Sequence, residues 1–441
     1  MPGWVEHVMW WHVYPLGFVG AEREALPHGA APVHRLEQLT SWLDYVVELG
    51  LSGIALGPVC ASQTHGYDTV DHLRIDPRLG TDEDFDAFIA AAKARGLRIT
   101  IDGVFNHVGR EFWAFQEVLR DGPTAPTASW FHLDWTAGAG QGNEPGYRDF
   151  EGHHALVALN HEEPAVVEYV TGVMNHWLDR GVDGWRLDAA YALSPSFWAK
   201  VLPGVRAKHP EAYVFGEVLH GDYAAFVAES GVDSVTQYEL WKAIWSSLND
   251  GNFFELDWTL TRHAEFLESF VPLTFVGNHD VTRIASRLTD PRHVPHTVAL
   301  LMTLGGTPTI YAGDEQGMTG VKEERAGGDD SVRPPFPATP ADLLPFGWDT
   351  YRLHQELIAV RRRNPWLHTA RTERLTCTNT TLVLRSTPRD GDATGILLVL
   401  STDDAPVTIS VPGAVSVLAG SGRLVDGAVE LEPHGWAVLG A

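Results

Sequence analysis

Cysteine is scarce in this 441-residue sequence, which contains only Cys60 and Cys377. Two cysteines so far apart exclude a disulfide framework and a Cys-X-X-Cys metal site. Long apolar runs are also absent, since no stretch approaches the roughly 18 residues that a membrane span requires. The first residues lack the basic start and continuous apolar stretch of a signal peptide. We therefore expect a cytoplasmic protein without a membrane partner.

Positive charge is in short supply as well. The chain has 32 Lys and Arg against 57 Asp and Glu, a formal net charge of −25. Such a chain repels phosphate backbones and anionic lipids, which argues against nucleic-acid and membrane-surface partners. Tryptophan is abundant instead, with 16 residues. Its rings stack on bases, sugars or cations, or fill a core, and composition does not decide between these uses.

Segments with strand character alternate with helical segments over most of the chain. Helical spacing marks residues 34–49, 84–95, 163–180, 194–208 and 350–363. Predicted strands lie at 7–15, 53–59, 97–104, 182–187, 212–215, 232–235, 271–276 and 307–311. About eight strand–helix units predict the α/β class and a parallel (β/α)8 TIM barrel. Trp10 and Trp11 are expected in its core.

Two regions interrupt this alternation. Residues 107–160 are rich in Gly, Pro and aromatics and show no clear helical period, which indicates a domain inserted after the third strand. Residues 366–441 contain short strands separated by turns and predict a C-terminal antiparallel β-sandwich. The barrel itself would then comprise residues 1–106 and 161–365. Trp113, Trp130 and Trp135 lie in the insertion, where stacking on a ligand and packing are equally good interpretations.

Polar side chains follow four of the predicted strands, where the reactive residues of barrels lie. Singly, an Asp after a strand is more often a helix N-cap, and a His more often structural. Together the strand ends carry Asp102, Asn106 and His107, then Arg186 and Asp188, then Glu217, then His279 and Asp280. Three carboxylates beside an arginine suit an oxocarbenium-like transition state, with a nucleophile, a proton donor and an electrostatic stabiliser. This is the chemistry of a retaining glycosidase.

These residues lie in segments that resemble the α-amylase family, glycoside hydrolase family 13. The four signature segments occur in order as DGVFNH (102–107), GWRLDAA (184–190), GEVLH (216–220) and FVGNHD (275–280). Secondary segments match at 65–81, 155–166 and 306–315. The resemblance implies that Asp188 is the nucleophile, Glu217 the acid and base, and Asp280 the transition-state stabiliser.

The resemblance also implies roles for the neighbouring residues. Arg186 would keep Asp188 ionised, and Asp102 would be a structural carboxylate. His107 and His279 would hydrogen-bond the sugar, and Tyr67 would stack on it. Asn106 matches a position that binds calcium in many amylases. The insertion shows no evident carboxylate cluster, so no metal and no cofactor is expected, with calcium as the alternative left open.

Within the family, the insertion looks most like that of cyclomaltodextrinases, maltogenic amylases and neopullulanases. The segments WFH (130–132) and YRDFEGHH (147–154) carry this likeness, and His220 occupies a position where the group has His. Arg333 lies in DDSVRPP (329–335), a segment common in enzymes acting on oligosaccharides. His65 is the amylase-like choice, whereas exo-acting α-glucosidases have Asp at the place of Thr64.

Three departures from the subgroup bear on specificity and assembly. Leu219 replaces an aromatic residue, and Tyr191 stands where many amylases have Lys, so the acceptor side is altered. The first strand begins by about residue 7, which leaves no room before it for the N-terminal β domain through which the subgroup dimerises. A homo-oligomer is therefore left open.

The leading interpretation is a retaining hydrolase of α-1,4-glucosidic bonds in short or cyclic maltooligosaccharides. Within the same family, a transglycosylase, an isomerase or a hydrolase of cyclic glucans with mixed α-1,4 and α-1,6 linkages is the alternative. A catalytically inactive sugar-binding protein is a remote third, because such proteins usually lose the carboxylates that are present here.

Overall fold

The structure, a computed structural model, describes residues 1–136, 144–325, 327–389 and 395–441. Its central element is a sheet of eight parallel strands. In chain order these are β1 Trp10–Val13, β2 Gly53–Leu56, β3 Arg98–Gly103, β4 Gly184–Leu187, β5 Tyr213–Gly216, β6 Ser234–Val235, β7 Leu273–Phe275 and β8 Thr307–Tyr311. Their spatial order is β6-β5-β4-β3-β2-β1-β8-β7, and a parallel bridge between Thr236 and Leu273 joins the two edges. The closed sheet confirms the predicted TIM barrel.

The barrel strands are buried on both faces. Every residue of β1, β2, β4 and β5 is buried, which explains why these segments are mostly apolar and do not alternate, with His12 and Arg186 as their polar residues. Trp10 stacks on Tyr213 with ring centroids 6.3 Å apart, and both belong to a cluster that includes Phe215 and Phe275. Trp11 packs on Trp42 with centroids 6.1 Å apart. Both tryptophans at the start of the chain are therefore core residues.

Helices connect most of the barrel strands. They are Pro15–Phe18, Leu36–Thr40, Leu43–Leu49, Asp82–Ala94, Pro164–Arg180, Pro195–Lys208, Tyr223–Ser230, Tyr238–Asp250, Phe254–Leu267, Ile284–Arg287, Val294–Thr303 and Trp348–Arg363. The single helix predicted over 34–49 is two helices, with a break at Ser41 and Trp42. The indole of Trp42 is fully buried and donates to the carbonyl of Pro337, so packing determines the break.

The region after β3 contains more helix than the sequence predicts. A helix spans Trp113–Asp121, where no helical period was expected. The short strands around it are His107–Gly109, Leu133–Asp134, Gly146–Tyr147, Asp149–Phe150 and His153–Ala158. A separate hairpin pairs Cys60–Ser62 with Thr69–Ile75. The boundaries 107–160 for an inserted domain remain a prediction.

The last part of the chain forms two antiparallel sheets. Its strands are β9 Arg371–Cys377, β10 Thr381–Thr387, β11 Ile396–Ser401, β12 Val407–Ser410, β13 Ser416–Gly420, β14 Arg423–Val425, β15 Ala428–Leu431 and β16 Trp436–Gly440. One sheet has the order β9-β10-β11-β16-β13 and the other β12-β15-β14. A turn separates β15 from β16, and His434 in this turn has a φ of 54°.

No helix in the described part of the chain combines the length and the apolar character that a membrane crossing demands.

β4 and β5 lie so close together at Gly184 that one added methyl group should destabilise the fold. A Cβ at Gly184 would lie 2.1 Å from the carbonyl oxygen of Tyr213, so Gly184→Ala should lower the free energy of unfolding by about 1–3 kcal/mol. Gly172→Ala is the control, because Gly172 lies in a helix and a Cβ there has no atom within 4 Å. Urea unfolding of both variants tests this. Equal stability of Gly184→Ala and the wild-type protein would contradict the packing.

Candidate active site

A cleft of about 860 Å³ opens beside the ends of the barrel strands. Seven of the residues singled out from the sequence line it: Tyr67, His107, Asp188, Tyr191, Glu217, Leu219 and Asp280. Arg186 and His279 lie directly behind this surface, in contact with its carboxylates. The loops after β3, β4, β5 and β7 thus bring together the polar strand ends that the sequence placed at one rim.

Arg186 is the centre of the site. Its Nη1 lies 2.5 Å from Oδ2 of Asp102 and 3.4 Å from Oδ1 of Asp188, and its Nη2 lies 2.9 Å from Oε1 of Glu217. All four side chains are buried. One guanidinium therefore serves three carboxylates from three adjacent strands, β3, β4 and β5.

Glu217 is held by two further donors. The backbone N–H of Ala189 donates to Oε2 over 3.0 Å, and the hydroxyl of Tyr238 donates to Oε1 over 3.2 Å. Tyr238 is fixed in turn by Asn278, whose Nδ2 donates to its hydroxyl over 2.9 Å. Ala189 has a φ of 44°, a left-handed conformation unusual for alanine. This turn aims the N–H that follows Asp188 at the neighbouring carboxylate.

Two of the carboxyl groups that contact Arg186, those of Asp188 and Asp102, have raised pKa values. Burial, followed by the charge of Glu217, raises the pKa of Asp188 well above its usual value, and Arg186 opposes this. Burial also raises the pKa of Asp102, against the lowering effect of Arg186. The charge of Glu217 therefore makes ionisation of Asp188 less favourable, and Arg186 makes it more favourable.

Asp280 occupies a different electrostatic environment. Arg333 donates from Nη2 to its Oδ1 over 2.6 Å, and Nε2 of His279 lies 3.0 Å from its Oδ2. Burial raises the pKa of Asp280, but His279, Arg333 and Arg186 lower it by more, so its pKa lies well below the usual value. Asp280 is therefore a fixed negative charge at the cleft surface.

A stack of rings supports this wall. His279 lies between Tyr14 and Tyr67, with centroid distances of 5.8 and 5.6 Å and nearly parallel planes. The hydroxyl of Tyr67 donates to Oδ2 of Asp102 over 3.2 Å and also contacts Nε2 of His279. The guanidinium of Arg333 lies over the Tyr14 ring at 4.6 Å. The ring of Tyr67 is thereby set at the cleft surface in one orientation.

The region after β3 supplies the opposite wall. His107 stacks on Phe150 with centroids 4.6 Å apart, and its Nδ1 lies 3.0 Å from Nδ2 of Asn106. The hydroxyl of Tyr191 donates to Glu151 over 3.0 Å. Burial lowers the pKa of His107 to about 4, which leaves the ring neutral at neutral pH. A neutral ring in contact with Asn106 presents one donor and one acceptor.

Several predicted residues lie outside the cleft lining. Nδ1 of His65 accepts from the backbone N–H of Tyr67, and the carbonyl of His65 accepts from Tyr14. His220 packs against Tyr191, with centroids 6.1 Å apart. Three tryptophans of the insertion, Trp113, Trp130 and Trp135, are likewise not among its lining residues that the structure describes.

Sequence reasoning missed Tyr238 and Tyr14. Tyr238 begins the helix after β6 and touches Glu217, but no signature segment contains it. Tyr14 lies one residue beyond β1 and reaches His279 only through the closure of the barrel. For Tyr14 a usable signal existed, because a polar residue at the end of a barrel strand is a site candidate.

Among the described residues, the group best suited to hold a metal lies away from the cleft. It consists of Asp290, His293 and His434. Arg292 already donates to both oxygens of Asp290, and Nε2 of His293 lies 2.8 Å from Nδ1 of His434. Nδ1 of His293 is buried without a hydrogen-bond partner.

The closed parallel sheet with a cleft at its strand ends places the protein in the TIM-barrel class. The model of the α-amylase catalytic domain matches residues 13–349. The chain belongs to the α-amylase family.

Relatives with known names lie in the subgroup that the sequence resembles. The maltogenic α-amylase of Bacillus acidopullulyticus is 31% identical over 347 residues, 72% of this chain and 58% of that protein. The cyclomaltodextrinase of Geobacillus thermopakistaniensis is 28% identical over 470 residues, 99% of this chain and 77% of that protein. The chain thus spans little more than half of the first relative.

Solved structures agree with the sequence matches. The ligand-free cyclic α-maltosyl-(1→6)-maltose hydrolase of Arthrobacter globiformis superposes with a TM-score of 0.85 at 26% identity, and each chain covers 100% of the other. A debranching enzyme of Nostoc punctiforme has a TM-score of 0.83 at 25% identity, with 100% and 99% coverage.

The role of Arg186 predicts a pH-dependent loss of stability. In Arg186→Met the pKa values of Asp102 and Asp188 should rise further, because the cation that lowers them is gone. A carboxyl whose pKa is raised by folding loses stability as pH rises, so the deficit should grow between pH 5 and pH 8. At pH 8 we expect the free energy of unfolding of Arg186→Met to be about 3–5 kcal/mol lower than that of the wild-type protein.

Thermal unfolding at the two pH values measures this deficit. The control is Arg352→Met, which removes an exposed 2.7 Å ion pair with Asp349 and should cost less than about 1 kcal/mol. A deficit of Arg186→Met that does not change with pH would show that the carboxylates do not depend on this cation.

Proposed function

We propose that the protein hydrolyses α-1,4-glucosidic bonds of short or cyclic maltooligosaccharides with retention of configuration. The observation that carries this proposal is the contact of one buried guanidinium with Asp102, Asp188 and Glu217 at the head of the cleft. Asp280 adds a carboxylate of lowered pKa on the adjacent wall. Relatives named cyclomaltodextrinase and maltogenic amylase support the substrate class.

The first step makes a covalent intermediate. The carboxylate of Asp188 attacks the anomeric carbon while Glu217 gives its proton to the glycosidic oxygen. The carbon–oxygen bond breaks, the sugar on the leaving side departs as an alcohol, and a glycosyl ester forms on Asp188. Asp280 stabilises the positive charge that develops on the sugar ring, because its carboxylate is ionised.

The second step returns the enzyme to its starting state. Glu217, now a carboxylate, takes a proton from a water molecule whose oxygen attacks the anomeric carbon. The ester bond to Asp188 breaks and the product leaves with the α configuration, since two inversions give net retention.

The contacts of Asp188 and Glu217 suit this sequence of steps. Asp188 and Glu217 lie on the same guanidinium and disfavour each other's negative charge. Attack requires the proton of the pair to be on Glu217. The N–H of Ala189 and the hydroxyl of Tyr238 hold Glu217 in place and remain available when it is a carboxylate. A single pair can thereby act as nucleophile and acid in one step.

A cyclic glucan with both α-1,4 and α-1,6 linkages is the second candidate substrate. The favouring observation is the mutual 100% coverage with the cyclic α-maltosyl-(1→6)-maltose hydrolase of Arthrobacter globiformis. Leu219, which lines the cleft two residues beyond Glu217, is smaller than the aromatic residue expected there, and leaves room for a bent glucan. Transfer to a sugar hydroxyl instead of water is the third possibility within the same mechanism.

A panel of glucans tests the proposal. Maltose, maltotriose, cyclodextrins, pullulan, isomaltose and cyclic α-maltosyl-(1→6)-maltose should be incubated with the enzyme and the products resolved by size and linkage. Short linear or cyclic α-1,4 glucans should be cleaved, and proton NMR should show the α-anomer first. Early β-anomer would rule out double displacement, and products longer than the substrate would reveal transfer.

The nucleophile can be tested by one isosteric change. Asp188→Asn should lower kcat by several powers of ten, because the amide cannot form the glycosyl ester. Glu151→Gln is the control, since Glu151 lines the same cleft but is not bound by Arg186. It should retain activity within a few fold. Near-normal turnover by Asp188→Asn, at unchanged Tm, would refute the assignment.

A further inference from the structure

One wall of the cleft is built by a helix that contains no signature segment. The helix Phe254–Leu267 directs Glu255, Trp258, Thr259 and Arg262 toward the cleft. The spacing of three, one and three residues places these four on one helical face. Leu256, Leu260 and Phe266 are buried on the other side. On the cleft face, Thr259 is buried, whereas Trp258 is exposed.

Trp258 is the most exposed tryptophan among the exposed large apolar side chains that the structure describes, at 69%. A single exposed apolar residue is ordinary on a protein surface. Trp258 differs because it lines the same cleft as Asp188 and Glu217. An indole face open to a cleft offers a flat apolar surface, and the C–H face of a glucose ring is its complement.

Ion pairs tie this helix to the catalytic acid. Tyr238, which donates to Glu217, begins the helix Tyr238–Asp250. In the first turn of that helix, Glu239 accepts from Nε of Arg262 over 2.6 Å, and one turn further on Lys242 pairs with Glu255. Trp258 lies between these two pairs, four residues before Arg262 and three after Glu255. Charged groups that can bind sugar hydroxyls thus flank the ring on both sides.

The position of this surface defines which part of a substrate it meets. Tyr67, His279 and Asp280 form the wall on the other side of Arg186, next to Asp102. The helix pair contacts Glu217, the proposed proton donor, through Tyr238. Leu219 and Tyr191, which the family resemblance places on the acceptor side, line the same cleft as Trp258. These contacts favour the leaving side as the part of the substrate that meets Trp258.

We propose that Trp258 is the stacking platform of a leaving-side glucose subsite, flanked by Glu255 and Arg262. This inference rests on the proposed function, because the roles of Asp188 and Glu217 define the leaving side. It assigns to the enzyme a preference for substrates that carry further glucose units beyond the bond that is cut. A glucose unit stacked there also explains how an acceptor sugar would be held during transfer.

The test compares two substrates that share the donor sugar. Maltopentaose places glucose units on the leaving side. α-Maltosyl fluoride places none there, because its leaving group is a fluoride ion. In Trp258→Ala the ratio of kcat/KM for maltopentaose to that for α-maltosyl fluoride should fall about tenfold, the loss expected for about 1.4 kcal/mol of stacking. Trp258→Phe, which keeps an aromatic face, should recover part of the ratio.

Phe254→Ala is the matched control. Phe254 is exposed on the same helix, one turn before Trp258, and is not among the residues that line the cleft. In Phe254→Ala the ratio of kcat/KM for maltopentaose to that for α-maltosyl fluoride should equal the ratio of the wild-type enzyme. An unchanged ratio in Trp258→Ala, in a protein of unchanged Tm, would overturn the proposal for Trp258. Failure of the wild-type enzyme to turn over α-maltosyl fluoride would instead overturn the proposed function.

Discussion

The burial of one guanidinium among three carboxylates is the constraint on which the site depends. Arg186 lies on β4, between β3, which carries Asp102, and β5, which Glu217 follows. Asp188 comes two residues after Arg186, directly after the end of β4. Such a cluster is stable only when the backbone holds every member in place, because an unpaired buried charge is costly. A closed barrel of fully buried strands provides that rigidity. The catalytic geometry is thus a property of the sheet more than of its loops.

The carboxylates differ because their cations differ. Asp188 and Glu217 share Arg186 with Asp102, so negative charge exceeds positive charge and burial raises the pKa of Asp188. Asp280 has Arg333 and His279 beside it, and its pKa is lowered. The two sides of the site therefore differ in the pKa of their carboxylates, which is raised at Asp188 and lowered at Asp280. Arg333 is as important to this difference as Arg186, because it lowers the pKa of Asp280.

Much of the fold and the site could be predicted from sequence because local signals carried it. The buried strands are apolar runs, and the polar groups at their ends are contiguous with them in the chain, as in 184–188. The misses have tertiary causes. The helix over 34–49 breaks where Trp42 enters the core, and Trp113–Asp121 forms a helix whose apolar residues pack within an irregular region. Tyr238 and Trp258 reach the cleft from helices, so no strand-end signal marks them.

The departure from the family pattern at Leu219 is best considered together with Trp258, which lines the same cleft. In the sequence, Leu219 replaces the aromatic residue that the family resemblance places two residues after Glu217. The structure places another aromatic ring, Trp258, on the same cleft from a helix about forty residues further along the chain. Tyr238 and Glu239 link this helix to Glu217, since Tyr238 donates to Glu217 and Glu239 accepts from Arg262. The cleft therefore has an aromatic ring that comes from a helix and not from the loop after β5.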